Sequence, residues 1–138
     1  LDIQTQTPTT LLTLPRAPLQ DLLAASPVLR EAALQLQCER LRHLFRRVEE
    51  LLALPLPQRV ARQLARLARE FGRPVDAGVC IDLNLSQSDL AAMLGASRQR
   101  TNTCLQQLQR LRVIAVAAPR ITVLDEERLR ALSEGRPA

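Results

Sequence analysis

Residues 86–124 constrain the fold more than any other part of this sequence, because this segment contains residues that start and end helices, at fixed spacings. Ser86 can cap a helix through its hydroxyl, and Asp89, three residues on, suits the capping box that such a start often carries. Gly95 then allows the left-handed residue that ends a short helix, and Ser97 can cap the next one. The pattern predicts two short helices joined by a tight turn, which is a helix-turn-helix.

A β-hairpin is predicted directly after the second helix. Apolar and mostly β-branched residues fill positions 113–117 and 120–124, and such residues favour strands. Ala118 and Pro119 between them suit a turn, and Arg120 beside that turn could touch a phosphate. A helix-turn-helix followed by such a hairpin is a winged helix-turn-helix.

Each of the two helices has one apolar face. In the first helix, Leu90, Met93 and Leu94 are expected to pack inward. The second helix has a stripe at three- and four-residue steps that is predicted to be buried, formed by Thr101, Cys104, Leu105, Leu108 and Leu111.

The other face of the second helix is polar and chemically able to read bases. Arginine pairs bidentately with guanine, and asparagine or glutamine with adenine, in the major groove of DNA. The predicted base-reading residues are Arg98, Gln99, Asn102 and Thr103. The residues predicted to contact the DNA backbone are Ser86, Gln87, Ser97, Arg100, Gln106 and Arg120.

The distribution of charge supports the same interpretation. Between Asn84 and Leu124 five arginines stand against one aspartate, a local net charge of +4, while the whole chain carries only +5. A polyanion such as DNA would therefore be attracted to this end of the molecule. The alternative is that these polar residues only solvate an exposed helix. The caps, the turn and the hairpin in register argue against that alternative.

The cysteines and the single histidine argue against a metal site. Cys38, Cys80 and Cys104 form no C-x-x-C pair, and His43 has no partner at ligand spacing. Cys38 and Cys104 fall on apolar helix stripes, where each is expected to be a small buried hydrophobic residue. The odd cysteine count suggests a reducing compartment, and no apolar run or signal-peptide pattern is present. A soluble, cytoplasmic protein without a metal or a membrane partner is predicted.

The first half of the chain predicts mostly helix. Residues 1–14 alternate loosely, which favours strand pieces, and residues 19–25 favour a short amphipathic helix; together they are too few to form a core. Pro27 suits the first turn of a long helix over about 28–54. That helix carries an a/d heptad seam, formed by Leu34, Cys38, Leu41, Phe45, Val48 and Leu52.

The apolar seam needs a partner, and two partners are conceivable. The seam could pack against its own domain, or it could meet a second copy of itself at a homodimer axis. The homodimer is favoured, with the flank of the wide stripe covering the rest of the chain.

The sequence LPLP at residues 54–57 breaks the long helix, because proline lacks a backbone donor and restricts the residue before it. A third helix over 58–71 and a hairpin over 75–85 are predicted next, the latter turning at residues 76–78. Asp125 is expected to cap a last short helix. The predicted fold class is mainly α with small β-hairpins, a long dimerisation helix followed by a winged helix-turn-helix domain.

The order of these elements resembles the Crp/Fnr family of bacterial transcription regulators. The resemblance is carried by QRVARQLARLA after the proline break, LSQSDLAAMLGASRQRTN, and a wing that ends ITVLDEERLRAL. It covers essentially the whole chain. The segment TLLTLPRAPLQDLLAASPVL is similar to the close of that family's N-terminal β-roll sensor domain. The resemblance implies three parts: a sensor remnant over 1–26, a dimerisation helix over 27–54 and a DNA-binding domain over 55–138.

The family resemblance also implies how the chain would act. A homodimer would bind a palindromic site in double-stranded DNA, with recognition helices 98–110 in successive major grooves roughly 34 Å apart. Arg98 and Gln99 match base-reading positions. The chain departs from the family at Thr103, where a basic residue is usual, and at Arg112, where glycine is usual. RNA polymerase would be a further partner of an activator, although no residues identify the surface that it would touch.

The residues by which the sensor domains of this family usually bind their effectors are not found in this sequence. The chain has no glycine before Gly72, no cyclic-nucleotide phosphate cassette and no N-terminal cysteine cluster. No cofactor is therefore expected in this chain, and the effector is undetermined. The strand-like start favours a sensor domain that lies outside this sequence over a protein that naturally lacks one.

Two other classes of function fit the sequence less well. A winged helix can serve as a protein–protein interaction or dimerisation module without specific DNA readout, but the basic, polar face over 98–112 argues against it. An enzyme is the weakest alternative. Ser86, Ser97 and Cys104 are potential nucleophiles, yet His43 is distant in sequence, and no paired carboxylates or phosphate loop appear.

Overall fold

The computed structural model describes Thr5, residues 8–117 and residues 119–136. The elements follow in the order α1 (Arg16–Ala25), α2 (Pro27–Ala53), α3 (Leu56–Phe71), β1 (Gly72–Val75), β2 (Gly78–Ile81), α4 (Gln87–Met93), α5 (Arg98–Arg110), β3 (Ile114–Ala117), β4 (Arg120–Val123) and α6 (Glu126–Ser133). The chain divides after Glu50 into two compact units, and the division falls within α2.

The first unit contains α1 and most of α2. The long helix is confirmed: α2 has 27 residues and opens at Pro27, where the missing N–H costs no helix bond. Leu54 precedes Pro55 and is pushed out of the helical conformation, so the helix ends at Ala53. Neither α1 nor α2 has a buried side chain.

The predicted strand pieces at residues 1–14 are wrong where the structure describes them. Residues 8–14 form neither strand nor helix, and the described Thr5 is also irregular; residues 1–4, 6 and 7 lie outside the described part. A strand needs a partner for its backbone groups, and the described residues of this unit offer none. The short helix α1 does form, and it begins at Arg16, three residues before the predicted start.

The second unit has a core between its helices and one face of a small sheet. α3 begins at Leu56, two residues before the predicted start, with Pro55 as its N-cap. Val60 and Leu64 on this helix are fully buried. Val123 on β4 and Val113, which directly precedes β3, are also fully buried. The side chains of Gln58 and Arg62 donate hydrogen bonds to the carbonyl oxygen of Ser133, at 3.1 and 2.8 Å, which ties α3 to the end of α6.

The two hairpins join into a single four-stranded antiparallel sheet, in the order β1-β2-β4-β3. The pairs Val79–Val123 and Ile81–Ile121 connect β2 to β4. Gly78 permits this pairing, since a Cβ there would lie 2.1 Å from the carbonyl oxygen of Val123. The first hairpin begins at Gly72 and ends at Ile81, so its predicted span of 75–85 starts too late and ends too late.

Two predicted burials are corrected by the structure. Met93 is exposed and Ala91 is buried in its place. At 100° per residue the two lie at equal angles on opposite sides of the stripe that Leu90 and Leu94 define, and the core covers the side of Ala91. Leu111 is exposed because it lies beyond the last residue of α5. Cys104 is buried as predicted, whereas Cys38 is exposed in the single chain, so its burial at a homodimer seam stays a prediction.

Candidate nucleic-acid interface

The helix-turn-helix begins with a complete capping box at the start of α4. The hydroxyl oxygen of Ser86 accepts from the backbone N–H of Asp89 at 3.1 Å. One carboxylate oxygen of Asp89 accepts both from the Ser86 backbone N–H, at 3.0 Å, and from the Ser86 hydroxyl, at 2.6 Å. The bonds from the Ser86 hydroxyl and backbone hold the pKa of Asp89 below its usual range. Both donors of Ser86 are therefore committed to this cap.

A tight turn connects α4 to α5. Gly95 has φ of +58°, the left-handed conformation that a residue with a side chain avoids, as the sequence predicted. Ser97 caps α5, its hydroxyl oxygen accepting from the backbone N–H of Arg100 at 3.3 Å. The buried Leu90 of α4 and Leu105 of α5 belong to one hydrophobic cluster, so the second helix is held firmly against the first.

The outward face of α5 presents the predicted DNA-reading residues to solvent. Exposed side chains are those of Arg98, Gln99, Arg100, Thr103 and Gln106, and Asn102 is half-buried. Within the described residues no side-chain hydrogen bond or ion pair engages Arg98, Gln99 or Gln106. These polar groups are available to a ligand that approaches the helix from solvent.

One predicted base-reading residue is already bonded to the neighbouring helix. The side-chain nitrogen of Gln87 on α4 donates to the side-chain oxygen of Asn102 on α5 at 3.3 Å. A bidentate contact with adenine needs both the oxygen and the nitrogen of the Asn102 amide. The bond from Gln87 uses one of the two lone pairs of the Asn102 oxygen, so Gln87 orients the amide while the second lone pair and the amide nitrogen of Asn102 remain for a base. Sequence spacing alone gave no signal of this pair, whose members are 15 residues apart.

The approach to the wing contains a strained residue. Arg112 has φ of 55°, and it is the only described residue other than glycine in the left-handed region. Arginine therefore adopts here the left-handed conformation that ordinarily favours glycine. The guanidinium of Arg128 donates to the carbonyl oxygen of Leu111 at 3.1 Å, and the N–H of Val113 donates to the carbonyl oxygen of Leu108 at 3.0 Å, which hold this turn.

The wing places Arg120 beside Asp82, an acidic residue far from it in sequence that no local pattern marks as part of the site. Arg120 approaches a carboxylate oxygen of Asp82 at 3.8 Å, and Arg73 on β1 contacts the other oxygen at 2.7 Å. Asp82 follows β2, and only the pairing of β2 with β4 brings it to the wing. Arg120 remains largely exposed, so its predicted phosphate contact stays a prediction.

The α2 helix carries a second exposed feature, an apolar seam. Leu34, Leu41 and Phe45 are each more than half exposed, and Leu52 is 84% exposed. Cys38 and Val48 complete the seam and are also exposed. Apolar side chains in such a continuous row are expected to be covered by a partner in solution.

Other kinds of site find no support among the described residues. No group of three or more potential metal ligands comes together there. Burial raises the pKa of the Cys104 thiol, and the nearby Arg100 opposes this only in part, so the thiolate needed for nucleophilic chemistry is disfavoured. In the same described part, none of the helices is both long enough and apolar enough to cross a membrane.

The fold and the exposed face together define a winged helix-turn-helix protein. Residues 58–132 match the family model of the Crp-like helix-turn-helix domain. The chain therefore belongs to that family, and it is a member of the Crp/Fnr transcription regulators.

The relatives and solved structures agree with this assignment. The chain is 30% identical over 114 residues to a CRP-like cAMP-activated global transcriptional regulator of Mycobacterium tuberculosis, covering 83% of this chain and 51% of the relative. It is 31% identical over 119 residues to the global nitrogen regulator of Synechococcus elongatus, covering 86% and 54%. The chain spans about half the length of the curated relatives it matches.

The structural neighbours show the same fold. A transcriptional regulator of the CRP/FNR family from Thermus thermophilus matches with a TM-score of 0.73 and 26% identity, over 81% of this chain and 57% of that one. A CooA mutant from Carboxydothermus hydrogenoformans matches with a TM-score of 0.74 at 21% identity, over 85% and 54%. The second likeness concerns the fold alone.

Proposed function

We propose that this chain is the dimerising and DNA-binding part of a transcription regulator, which binds a palindromic operator as a homodimer. α5 enters the major groove, and Arg98, Gln99, Asn102 and Thr103 face the bases. The side chains toward the DNA backbone are those of Ser86, Gln87, Ser97, Arg100, Gln106 and Arg120. Both donors of Ser86 serve its cap, so Ser86 would contact the backbone without donating to it. If the dimer activates transcription, RNA polymerase is a second partner.

The exposed face of α5 is the observation that carries this proposal. Its arginine, glutamine and asparagine side chains project from a helix whose other face is buried in the core. The two helix caps and Gly95 fix the helix relative to α4, so the backbone that carries these groups is preorganised. The surrounding segment has a net charge of +4, which favours a polyanionic ligand.

The DNA-binding proposal is tested by selecting bound duplexes from a random pool at two salt concentrations and sequencing them. A palindromic motif with half-sites one helical turn apart is expected. About six phosphate contacts would give a slope near −5 for the logarithm of affinity against the logarithm of salt concentration. Absence of any binding at low salt, with a stable dimer still present, would instead favour an interaction module.

Arg98 provides a sharper test of the recognition helix. Arg98→Ala is expected to weaken operator binding by about 1–3 kcal/mol and to relax the preference at one base pair. Arg30→Ala is the matched control, because Arg30 is an exposed arginine in the other unit and its loss removes the same charge. Unchanged operator binding by Arg98→Ala would show that α5 does not read the bases.

Cys38 allows the homodimer to be tested without an added probe residue. Its exposed thiol lies on the seam, so in a parallel, in-register two-helix coiled coil it faces the equivalent thiol of the second copy. A short bismaleimide is expected to cross-link the wild-type chain into dimers and to leave Cys38→Ser monomeric on a denaturing gel. A chain that sediments as a dimer but does not cross-link at Cys38 would place the dimer interface elsewhere.

A further inference from the structure

Thr103 occupies the centre of the exposed face of α5. Gln99 precedes it by four residues and Gln106 follows it by three, so the three side chains lie in one row along the helix. Thr103 is exposed like its two neighbours. A groove that receives the side chains of Gln99 and Gln106 therefore also receives Thr103.

The hydroxyl of Thr103 has already used its donor. It donates to the carbonyl oxygen of Gln99, one turn earlier, at 3.1 Å. A hydroxyl has a single hydrogen to donate, so the groups left for a base are the methyl group and an oxygen lone pair. Guanine presents only the acceptors N7 and O6 in the major groove, and Thr103 in this state cannot donate to either.

We propose that Thr103 specifies a T·A base pair in each half-site through contact between its methyl group and the C5-methyl group of thymine. Thymine is the only base with a methyl group in the major groove. The β-branched side chain has few rotamers, and the bond to Gln99 selects one, so the methyl group is held in place before DNA arrives. This inference rests on the proposed function, since only entry of α5 into the groove brings Thr103 to a base.

The remaining lone pair of Thr103 does not oppose this assignment. Adenine presents its N6 donor in a T·A pair, and the hydroxyl oxygen can accept from it. Cytosine also presents a donor at N4 but has no methyl group. The methyl contact is therefore what distinguishes a T·A pair from a C·G pair at this position.

Two matched substitutions separate the methyl group from the hydroxyl. Thr103→Val keeps a methyl group and loses the hydroxyl, whereas Thr103→Ser keeps the hydroxyl and loses the methyl group. Both residues have helix propensities close to that of threonine, and the site is exposed, so folding is expected to be preserved. Thermal denaturation of the full chain and both variants checks this.

The experiment has two stages. Binding-site selection with the wild type and Thr103→Ser identifies the base pair whose preference depends on the methyl group, which we expect to be T·A for the wild type. Deoxyuridine is then placed at that thymine in one of the two half-sites, which removes a single C5-methyl group. The wild type and Thr103→Val are expected to lose about fourfold in affinity, or about 0.8 kcal/mol, and Thr103→Ser to lose nothing.

Two results would overturn the assignment while leaving the proposed function standing. One is an operator on which Thr103→Ser changes no base preference. The other is equal binding of the wild type to thymine and deoxyuridine at the selected position. Failure of the proposed function looks different, because the wild type would then enrich no motif and Arg98→Ala would bind as well as the wild type.

Discussion

The two longest helices, α2 and α3, both carry apolar stripes, yet only α3 buries its stripe within the chain. α3 has 16 residues, and among the six that are buried Leu64 is fully enclosed. α2 has 27 residues and buries none of them. Periodicity in a sequence thus indicates that a helix has an apolar face, but it does not indicate whether the same chain covers that face. The difference matters for function, because an uncovered face is where a second copy is expected to bind.

Leu64→Ala should give the largest effect and should not depend on protein concentration. Leu64 is fully buried in the second unit, and truncating a buried leucine to alanine typically costs about 2–5 kcal/mol because the lost contacts leave a cavity. We expect a decrease of about 3 kcal/mol in the free energy of unfolding, measured by urea denaturation. Leu12→Ala, at a fully exposed leucine, is the control and should change little. If the decrease in the free energy of unfolding varied with protein concentration, it would contradict the inference that α3, unlike α2, covers its apolar stripe within a single chain.

Leu41→Ala should act on association instead of folding. Leu41 is about half exposed in the single chain, so dimerisation could bury the remaining half of each of two copies. We expect the dimer to weaken by about 2 kcal/mol, roughly 30-fold in its dissociation constant, as measured by sedimentation at several concentrations. Gln37→Ala, exposed on the same helix but off the seam, is the control. A monomer–dimer equilibrium insensitive to Leu41→Ala would remove the seam from the interface.

Arg112→Gly should stabilise the second unit by a smaller amount. The left-handed conformation costs a residue with a side chain about 1–2 kcal/mol, and replacing Arg112 with glycine removes that cost. Glycine also has greater freedom in the unfolded chain, which offsets part of the stabilisation. A net increase of about 0.5–1 kcal/mol in the free energy of unfolding is expected. Arg112→Ala retains the strain and serves as the control for loss of the side chain. If both variants were equally stable, the left-handed conformation of Arg112 would be in doubt.

The smallest effect is expected from Asp89, at the cap of α4. Its carboxylate accepts bonds from Ser86 that lower its pKa in the folded state, so the charged form stabilises the fold. That stabilisation is complete above the ordinary carboxylate pKa and is lost as pH falls through the lower folded pKa. Urea denaturation from neutral to acid pH should show a slightly shallower acid-side decline for Asp89→Asn than for the wild type. Identical pH profiles would contradict the cap geometry.

The features that the sequence predicted best are the helix caps and the tight turn of the second unit. The caps at Ser86, Ser97 and Asp125 and the left-handed turn at Gly95 are confirmed. Each depends on groups within a few residues of one another, so the identity of the residues nearly determines the geometry. The exposure of Arg98 and Gln99 follows from the same short-range periodicity.

The bounds of elements and the edges of stripes were predicted less well. Met93 and Leu111 stand at the ends of short helices, where a shift of one residue moves a side chain by about 100° around the axis. The first hairpin was placed too late because the same alternating pattern extends past Ile81 to Leu83 and Leu85 after pairing has stopped. Periodicity reports which side chains are apolar, and it does not report where backbone pairing ends.

The sequence by itself determined the helix-turn-helix, the wing and the length of α2, because these depend on caps, turns and apolar spacing along the chain. Only the tertiary structure decided that the hairpins join through β2 and β4, that Asp82 lies beside Arg120, and that Gln87 supports Asn102. The reason is physical. Contacts between residues far apart in sequence depend on how separate elements pack, and no local preference of either residue encodes its partner.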